Sequence, residues 1–336
     1  MDINQIHALI DNRSLPGKYD NVDLIETHIS WIILTDDFAY KIKRPVHYSF
    51  VNFSSLGKRK HFCKKEIALN SRLAPEMYLE VLPVTTGMVT AEIGKDHDDI
   101  IDFAVRMKRM DNSREMDKLL AKNEVTSGEI DKLALKIAGF HNRVDVIDKQ
   151  FDIKNIQETF SDIETVAPYL KKTAGENMFN KVTGCIESSN RFLKENEALI
   201  NKRAANGFRR DCHGDLNSYN IFLYPDPVIF DCIEFNDEFR HIDVLYDIAF
   251  LCVDLDFFGR TDLAEQFCKT YFEESGISAD PAITRLLDYY KSLRANIRAK
   301  VTLINARDSE KVENKEEIAD AKKYLELMAK YTPVKQ

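Results

Sequence analysis

Cys212-His213-Gly214-Asp215-Leu216-Asn217-Ser218-Tyr219-Asn220-Ile221, with Asp231 eleven residues beyond Asn220 in Val228-Ile229-Phe230-Asp231, is the stretch that decides how this chain is read. Ile221-Phe222-Leu223-Tyr224 and Val228-Ile229-Phe230 are apolar, β-prone runs joined by Pro225-Asp226-Pro227, so a hairpin is expected between Asn220 and Asp231. Moving a phosphoryl group from ATP needs a carboxylate beside the acceptor hydroxyl and separate oxygen ligands that hold Mg2+ on the triphosphate. Asp215 supplies the first, and Asn220 with Asp231 supplies the second. A loop rich in Asp and Asn is usually only a turn. His-Gly-Asp, the amide and the distal Asp occurring together argue for the chemistry instead.

The arrangement resembles the aminoglycoside phosphotransferase family, which shares the protein-kinase-like fold and carries an HGD-x-x-x-x-N loop followed by a metal-binding Asp. Gly214, where protein kinases usually have Arg, places the chain nearer the small-molecule kinases. The resemblance implies an α+β, bilobal fold. Its parts would be an antiparallel-sheet amino-terminal lobe over residues 1–110, a hinge over 111–120 and a mainly helical lobe over 121–336. It further implies Asp215 as catalytic base, Asn220 and Asp231 as Mg2+ ligands, ATP and Mg2+ as cofactors, and His213 as a support beside the base. Asp243-Val244-Leu245-Tyr246-Asp247-Ile248-Ala249 resembles the family's D-x-x-x-D-[LI]-A segment, in which the second Asp opens a helix and braces the catalytic loop, here Asp247.

The length of 336 residues fits two domains or two lobes. Hydrophobic content of 44% beside 30% charged residues is ordinary for a soluble protein, and no apolar run approaches bilayer length. The start, Met1-Asp2-Ile3-Asn4-Gln5, lacks a basic region and an apolar core, so a cytoplasmic address is expected. Six cysteines without a C-x-x-C pair predict packed, reduced thiols rather than zinc or disulfides. A net charge of -8 argues against nucleic acid as a partner.

In the first lobe, Leu24–Ile29, Trp31–Leu34 and Phe38–Lys43 read as successive strands, and Ser55–Leu73 as a helix capped by Ser54 or Ser55 and closed before Pro75. A kinase-like third strand carries a phosphate-binding Lys paired with a Glu on the next helix. Ala39-Tyr40-Lys41 matches that strand, although alternation puts Lys43 on the same face, and Glu66 is the candidate partner. The turn Glu26-Thr27-His28-Ile29-Ser30-Trp31 lacks the Gly-rich pattern, which leaves phosphate contacts to backbone N–H groups near His28 and Ser30 or to their side chains. Met88–Ile93 and Ile100–Met110 read as a hairpin leading to a hinge where Met107 and Met110 would offer apolar surface to adenine. Ordinary core packing explains those methionines nearly as well.

Ser127–Val144 and most of residues 151–205 have helical periodicity, as do Tyr289–Arg307 and Glu316–Tyr331. Along a helix through Asp247, the residues Phe250, Leu251 and Asp254 share its face. Glu234, Asp237 and Asp254 gather acidic charge near Asp215 in sequence, which would draw a cationic hydroxyl acceptor such as an amino sugar or amino alcohol. Pairing of these acids with arginines, or a pocket lined by Arg294 and Arg298, would remove that preference. Glu26–Trp31, Ala39–Lys43 and Arg72-Leu73-Ala74-Pro75 look like a bacterial branch of uncharacterised aminoglycoside-phosphotransferase-like proteins, some fused to a P-loop ATPase. No G-x-x-x-x-G-K-[ST] occurs here, so the P-loop ATPase that the resemblance implies would be a separate partner. Three functions compete: a small-molecule phosphotransferase, a nucleotide-binding regulatory module without transfer, and an enzyme that modifies a protein.

Overall fold

The computed structural model describes residues 1–86, 91–95, 99–308 and 315–333. They form two units, Met1–Glu115 with Asn220–Phe239, and Met116–Tyr219 with Arg240–Gln336. Residues 88–90 of the expected strand and 96–98 of the turn after it lie outside the described residues.

The first unit opens with α1 (Ile3–Asp11), whose capping box joins Asp2 and Gln5. Then come β1 (Val22–Glu26), β2 (Ser30–Thr35), β3 (Phe38–Lys43), the short pair β4 (His47–Tyr48) and β5 (Val51–Asn52), and α2 (Leu56–Asn70). Strands β6 (Tyr78–Thr86), β7 (Ala91–Ile93) and β8 (Ile100–Lys108) complete it up to Glu115. Six strands make one antiparallel sheet in the order β1-β2-β3-β8-β6-β7. Neither α1 nor β6 is expected from the sequence reading, and β7 and β8 are not a hairpin: both pair with β6 instead. Strand alternation divides the sheet into two faces. Trp31, Ile33, Tyr40 and Ile42 pack with Ile6 and Leu9 of α1, whereas Ala39, Val105 and Met107 pack with Cys63 of α2.

The second unit begins with α3 (Met116–Ala121), α4 (Ser127–Arg143), α5 (Ile153–Ser161), α6 (Ala167–Ala174), α7 (Glu176–Ala205) and β9 (Arg209–Asp211). The chain then returns to the first unit for the hairpin β10 (Ile221–Phe222) and β11 (Val228–Ile229), with Ile221 opposite Ile229. This return departs from the contiguous division at residues 111–120. Phe222 joins the cluster of Ala39 and Met107, Arg114 Nε donates to the Leu223 carbonyl at 2.6 Å, and the Asp111 N–H donates to the Tyr224 hydroxyl at 2.9 Å. Residues 111–115 are thereby tied to the hairpin.

Back in the second unit, β12 (His241–Asp243) pairs with β9 and leads into α8 (Val244–Phe257), followed by α9 (Thr261–Ser275), α10 (Pro281–Asp308) and α11 (Lys315–Tyr331). Helix α8 is buried almost all round, as a helix enclosed by α9, α10 and α11 must be. Its N-cap is Asp243, not Asp247. The Asp243 carboxylate accepts from the Leu245 N–H at 2.8 Å and from Arg203 at 2.6 and 2.8 Å. Among the described residues no helix is long and apolar enough to cross a membrane.

Candidate active site

In the first unit, β3 pairs Lys41 with Ile32 on one side and with Val105 on the other, so Lys41 and Lys43 lie on the face that carries Ala39. Glu66 projects from α2 between them. Its Oε1 is 2.8 Å from Lys41 Nζ and its Oε2 is 2.6 Å from Lys43 Nζ. Lys41 also reaches Asp231 Oδ1 at 2.6 Å, and Lys43 pairs with Glu234. Five charges of alternating sign thus run Glu234, Lys43, Glu66, Lys41, Asp231.

Burial opposes charge on Lys41, but Asp231, Glu66 and Glu234 outweigh it and hold the ammonium well above its ordinary value. Burial likewise works against Glu66, and the two lysines overcome it and hold its carboxyl below the usual range. Glu234 moves the other way. Its burial dominates, and Lys43, shared with Glu66, offers it less than a full counter-charge.

The hairpin sets the two expected metal ligands. Phe230 N–H donates to the Asn220 carbonyl at 3.0 Å, which fixes the register one residue before Asp231. Asp231 has φ +60, the left-handed region that Asp tolerates better than most residues, and its N–H donates to the Tyr78 hydroxyl at 3.2 Å. Next to it, Cys232 N–H donates to Asn70 Oδ1 at 2.8 Å. A departure from ordinary backbone held by flanking hydrogen bonds is typical of functional positions. The donors are an amide oxygen and a carboxylate whose side chain is 44% exposed, a set that fits a hard divalent cation.

Other expected residues fall differently. Thr27 Oγ1 accepts the N–H groups of Ile29 and Ser30 at 3.3 and 2.9 Å, and Ser30 is buried, so the turn uses the very N–H assigned to phosphate. His28 is exposed. Met110 is half-buried against the Ala39 cluster, and Met107 is inside it. The three carboxylates expected to attract a cationic acceptor all have partners. Glu234 is buried on Lys43, Asp237 pairs with Lys65 at 2.6 Å, and Asp254 is buried in the second unit.

In the second unit, the loop after β9 is bonded residue by residue. Cys212 N–H donates to the Arg240 carbonyl at 2.9 Å. Asp247 accepts the N–H of His213 at 3.1 Å and of Gly214 at 2.9 Å, while His141 Nε2 lies 3.1 Å from the same carboxylate and His141 Nδ1 lies 2.8 Å from the Tyr271 hydroxyl. Gly214, at φ +86, adopts a conformation that suits glycine, and its carbonyl accepts from the Arg294 guanidinium at 3.1 Å. Asp215 N–H turns back to His213 Nδ1 at 3.3 Å, and Asp254 accepts from both the N–H and the hydroxyl of Ser218 at 2.9 Å. Two carboxylates seven residues apart on α8 therefore hold both ends of the loop. From Cys212 to Ser218 every residue is buried except Asp215, which is half-buried.

His141, Cys212 and Asp247 also place metal-ligand atoms within 4.8 Å of one another. With the Asp247 oxygens already accepting two backbone N–H groups and facing His141, the trio reads as a hydrogen-bonded support. Arg294, which the sequence reading considered for an anion pocket, is buried, donates to the Tyr246 carbonyl at 3.2 Å as well as to Gly214, and lies over the Tyr246 ring at 3.8 Å. Arg298 faces the Tyr324 hydroxyl and the rings of Tyr219 and Tyr324. The second pairing of Glu66, the Lys43–Glu234 contact and the Arg294 clamp were missed. Only the two-residue spacing of Lys41 and Lys43 hinted at the first.

The sequence model of the phosphotransferase enzyme family, abbreviated APH, matches residues 78–287, the greater part of the chain and all of the loop just described. This chain belongs to the phosphotransferase enzyme family. As a family member it is 30% identical over 288 residues to the uncharacterized protein Rv2004c of Mycobacterium tuberculosis and, to the same extent, to the uncharacterized protein Mb2027c of Mycobacterium bovis. Those matches cover 84% of this chain and 55% of each relative, so the chain spans about half the length of the curated relatives it matches. Its fold is that of the GDP complex of aminoglycoside 2'-phosphotransferase-IIIa, with a TM-score of 0.56, 16% identity and coverage of 97% and 99% of the two chains. Choline kinase from Cryptosporidium parvum Iowa II gives a TM-score of 0.55 at 12% identity, covering 98% of this chain and 95% of that one.

Proposed function

We propose that this phosphotransferase-family chain moves the γ-phosphoryl group of ATP to a hydroxyl of a small molecule, with Asp215 as the base. The observation that carries the reading is the partial exposure of Asp215 within Cys212–Ser218, where every other residue is buried and the backbone is held by Asp247, Asp254 and Arg294. A general base must meet its proton donor in a fixed geometry, and a loop bonded at both ends provides it. Asp215 would take the hydroxyl proton as the oxygen attacks the γ-phosphorus, and the bond from that phosphorus to the bridging oxygen would break with ADP as the leaving group. Lys41, kept charged by Asp231 and Glu66, would face phosphate oxygens. Asn220 and Asp231 would hold Mg2+, which when bound neutralises charge on the triphosphate.

Amines on the acceptor are the finer part of the proposal. They draw on the net charge of -8 and on the relatives' names, since Glu234, Asp237 and Asp254 are engaged elsewhere. A cytoplasmic location and a separate P-loop ATPase partner also belong to the proposal, to be tested by fractionation and co-purification.

The functional test is ATP-dependent phosphate transfer by purified protein with Mg2+ across amino sugars, sugars, amino alcohols and nucleosides, beside Asp215→Asn. Transfer to one acceptor that falls by roughly 10²–10⁴-fold in the variant supports the assignment. Full turnover in Asp215→Asn refutes the role of the base. Binding of Mg-ATP without transfer to any small molecule moves the weight to a regulatory module or a protein acceptor.

A further inference from the structure

The row of five charges contains two lysines where one would meet a phosphate, and their surroundings differ. Lys43 has a side chain 1% exposed, lies 4.9 Å over the Phe53 ring, and has carboxylates of Glu66 and Glu234 as its ionic partners. Lys41 is 12% exposed and its outer partner Asp231 is 44% exposed. A polyanion arriving from solvent can therefore reach the row at the Asp231 and Lys41 end. Glu66 joins the two ends by giving one oxygen to each ammonium.

We propose that Lys43 and Glu234 are positioning residues that occupy the second oxygen of Glu66, limit Lys41 to the first, and so keep the Lys41 ammonium at the accessible end of the row for a nucleotide phosphate. Without Lys43, a buried Glu66 oxygen would lack its partner, and the carboxylate would draw Lys41 inward to satisfy both oxygens. Without Glu234, Lys43 would compete for the full charge of Glu66, because an ammonium buried to this degree requires a counter-ion. Lys43 itself makes no contact with the nucleotide. This inference rests on the phosphotransferase reading and adds to it residues that act through Lys41 rather than on the phosphate.

The test is a thermodynamic cycle on Mg-ATP affinity, measured by titration calorimetry so that no acceptor is needed. The double variant Lys43→Met/Glu234→Gln removes both charges together and avoids leaving one buried alone, and its thermal unfolding confirms that it is folded. It should bind Mg-ATP about tenfold more weakly than wild type. In a Lys41→Met background the same pair of changes should weaken binding no further, because the lysine through which they act is gone. Lys43→Arg, which keeps a cation against both carboxylates, should stay closer to wild type than the double variant and provides a folded comparison.

Unchanged affinity in the double variant overturns the inference. So does an equal loss in both backgrounds, which a direct phosphate contact or a general loosening of the unit would produce. These outcomes leave the phosphotransferase reading intact. Failure of wild-type protein to bind Mg-ATP at all overturns that reading and, with it, the positioning role.

Discussion

Replacing Asp247 by Asn removes the charge that holds the start of the Cys212–Ser218 loop while nearly preserving side-chain shape. The native carboxylate is 0% exposed and accepts from two backbone N–H groups, with His141 against it. Burial alone would push its pKa up. The hydrogen bond and charge of His141, with His213 and Arg294 beyond, reverse that and bring it from an ordinary 3.8 down to about 2. An Asn carbonyl can keep one backbone N–H, but its amide turns donors toward the other. A hydrogen bond to a charged acceptor contributes about 1.5–3 kcal/mol and an unsatisfied buried donor costs about 1–3 kcal/mol, so one lost and one opposed contact predict a loss of about 3–5 kcal/mol. That is a large part of the roughly 5–15 kcal/mol that holds a protein folded.

The acid limb gives the same substitution a second signature. Because the folded pKa is depressed, its contribution is present above the unfolded value and is lost as pH falls through about 2. A difference of nearly two pKa units corresponds to about 2 kcal/mol, which Asn, lacking the titration, cannot show. Urea unfolding at neutral pH and thermal unfolding between pH 5 and about 2.5, both followed by circular dichroism, measure the two effects. A variant within about 1 kcal/mol of wild type at neutral pH, or one with an unchanged acid slope, would refute the reasoning.

Other consequences follow from neighbouring contacts. Arg203→Met leaves buried Asp243 with only its helix-capping bond and should lower stability by about 3–5 kcal/mol in urea unfolding. Arg294→Lys removes the planar fork that reaches two carbonyls, and turnover of the best acceptor should fall more than the melting temperature does, since the Gly214 carbonyl beside Asp215 loses its donor. Asp231→Asn keeps a side chain that tolerates the left-handed backbone, so the protein should fold while Mg2+ no longer tightens ATP binding, measured by titration with and without the metal.

Much of the fold was legible because its determinants are local. Alternation in Phe38–Lys43 gave the strand and the shared face of its lysines, the apolar runs about Pro225-Asp226-Pro227 gave the hairpin, and helical counting put Asp247 and Asp254 on one side of α8. Strand β6 was hidden by Pro83, which ordinarily argues against a strand. It is accommodated where the ladder to β7 stops, since Val84 opposite Ile93 is the last pair and the Pro83 carbonyl accepts from the Gly94 N–H at 2.8 Å. The pairing of β6 with β8 joins Tyr78 to Met107 through a register shift that no local pattern records.

The site was less legible because charge does not reveal its partner in sequence. Glu234 and Asp254 looked like an acidic surface for a cationic acceptor, yet each answers a need of the folded chain: a counter-ion for buried Lys43, or an acceptor for Ser218. A carboxylate left buried and unpaired would be too costly to retain, so in a folded enzyme most buried acids are accounted for by the structure around them. The informative carboxylate is then the one that a well-bonded loop keeps accessible. Within Cys212–Ser218 that residue is Asp215, and the buried carboxylates of Asp247 and Asp254 fix the backbone on either side of it.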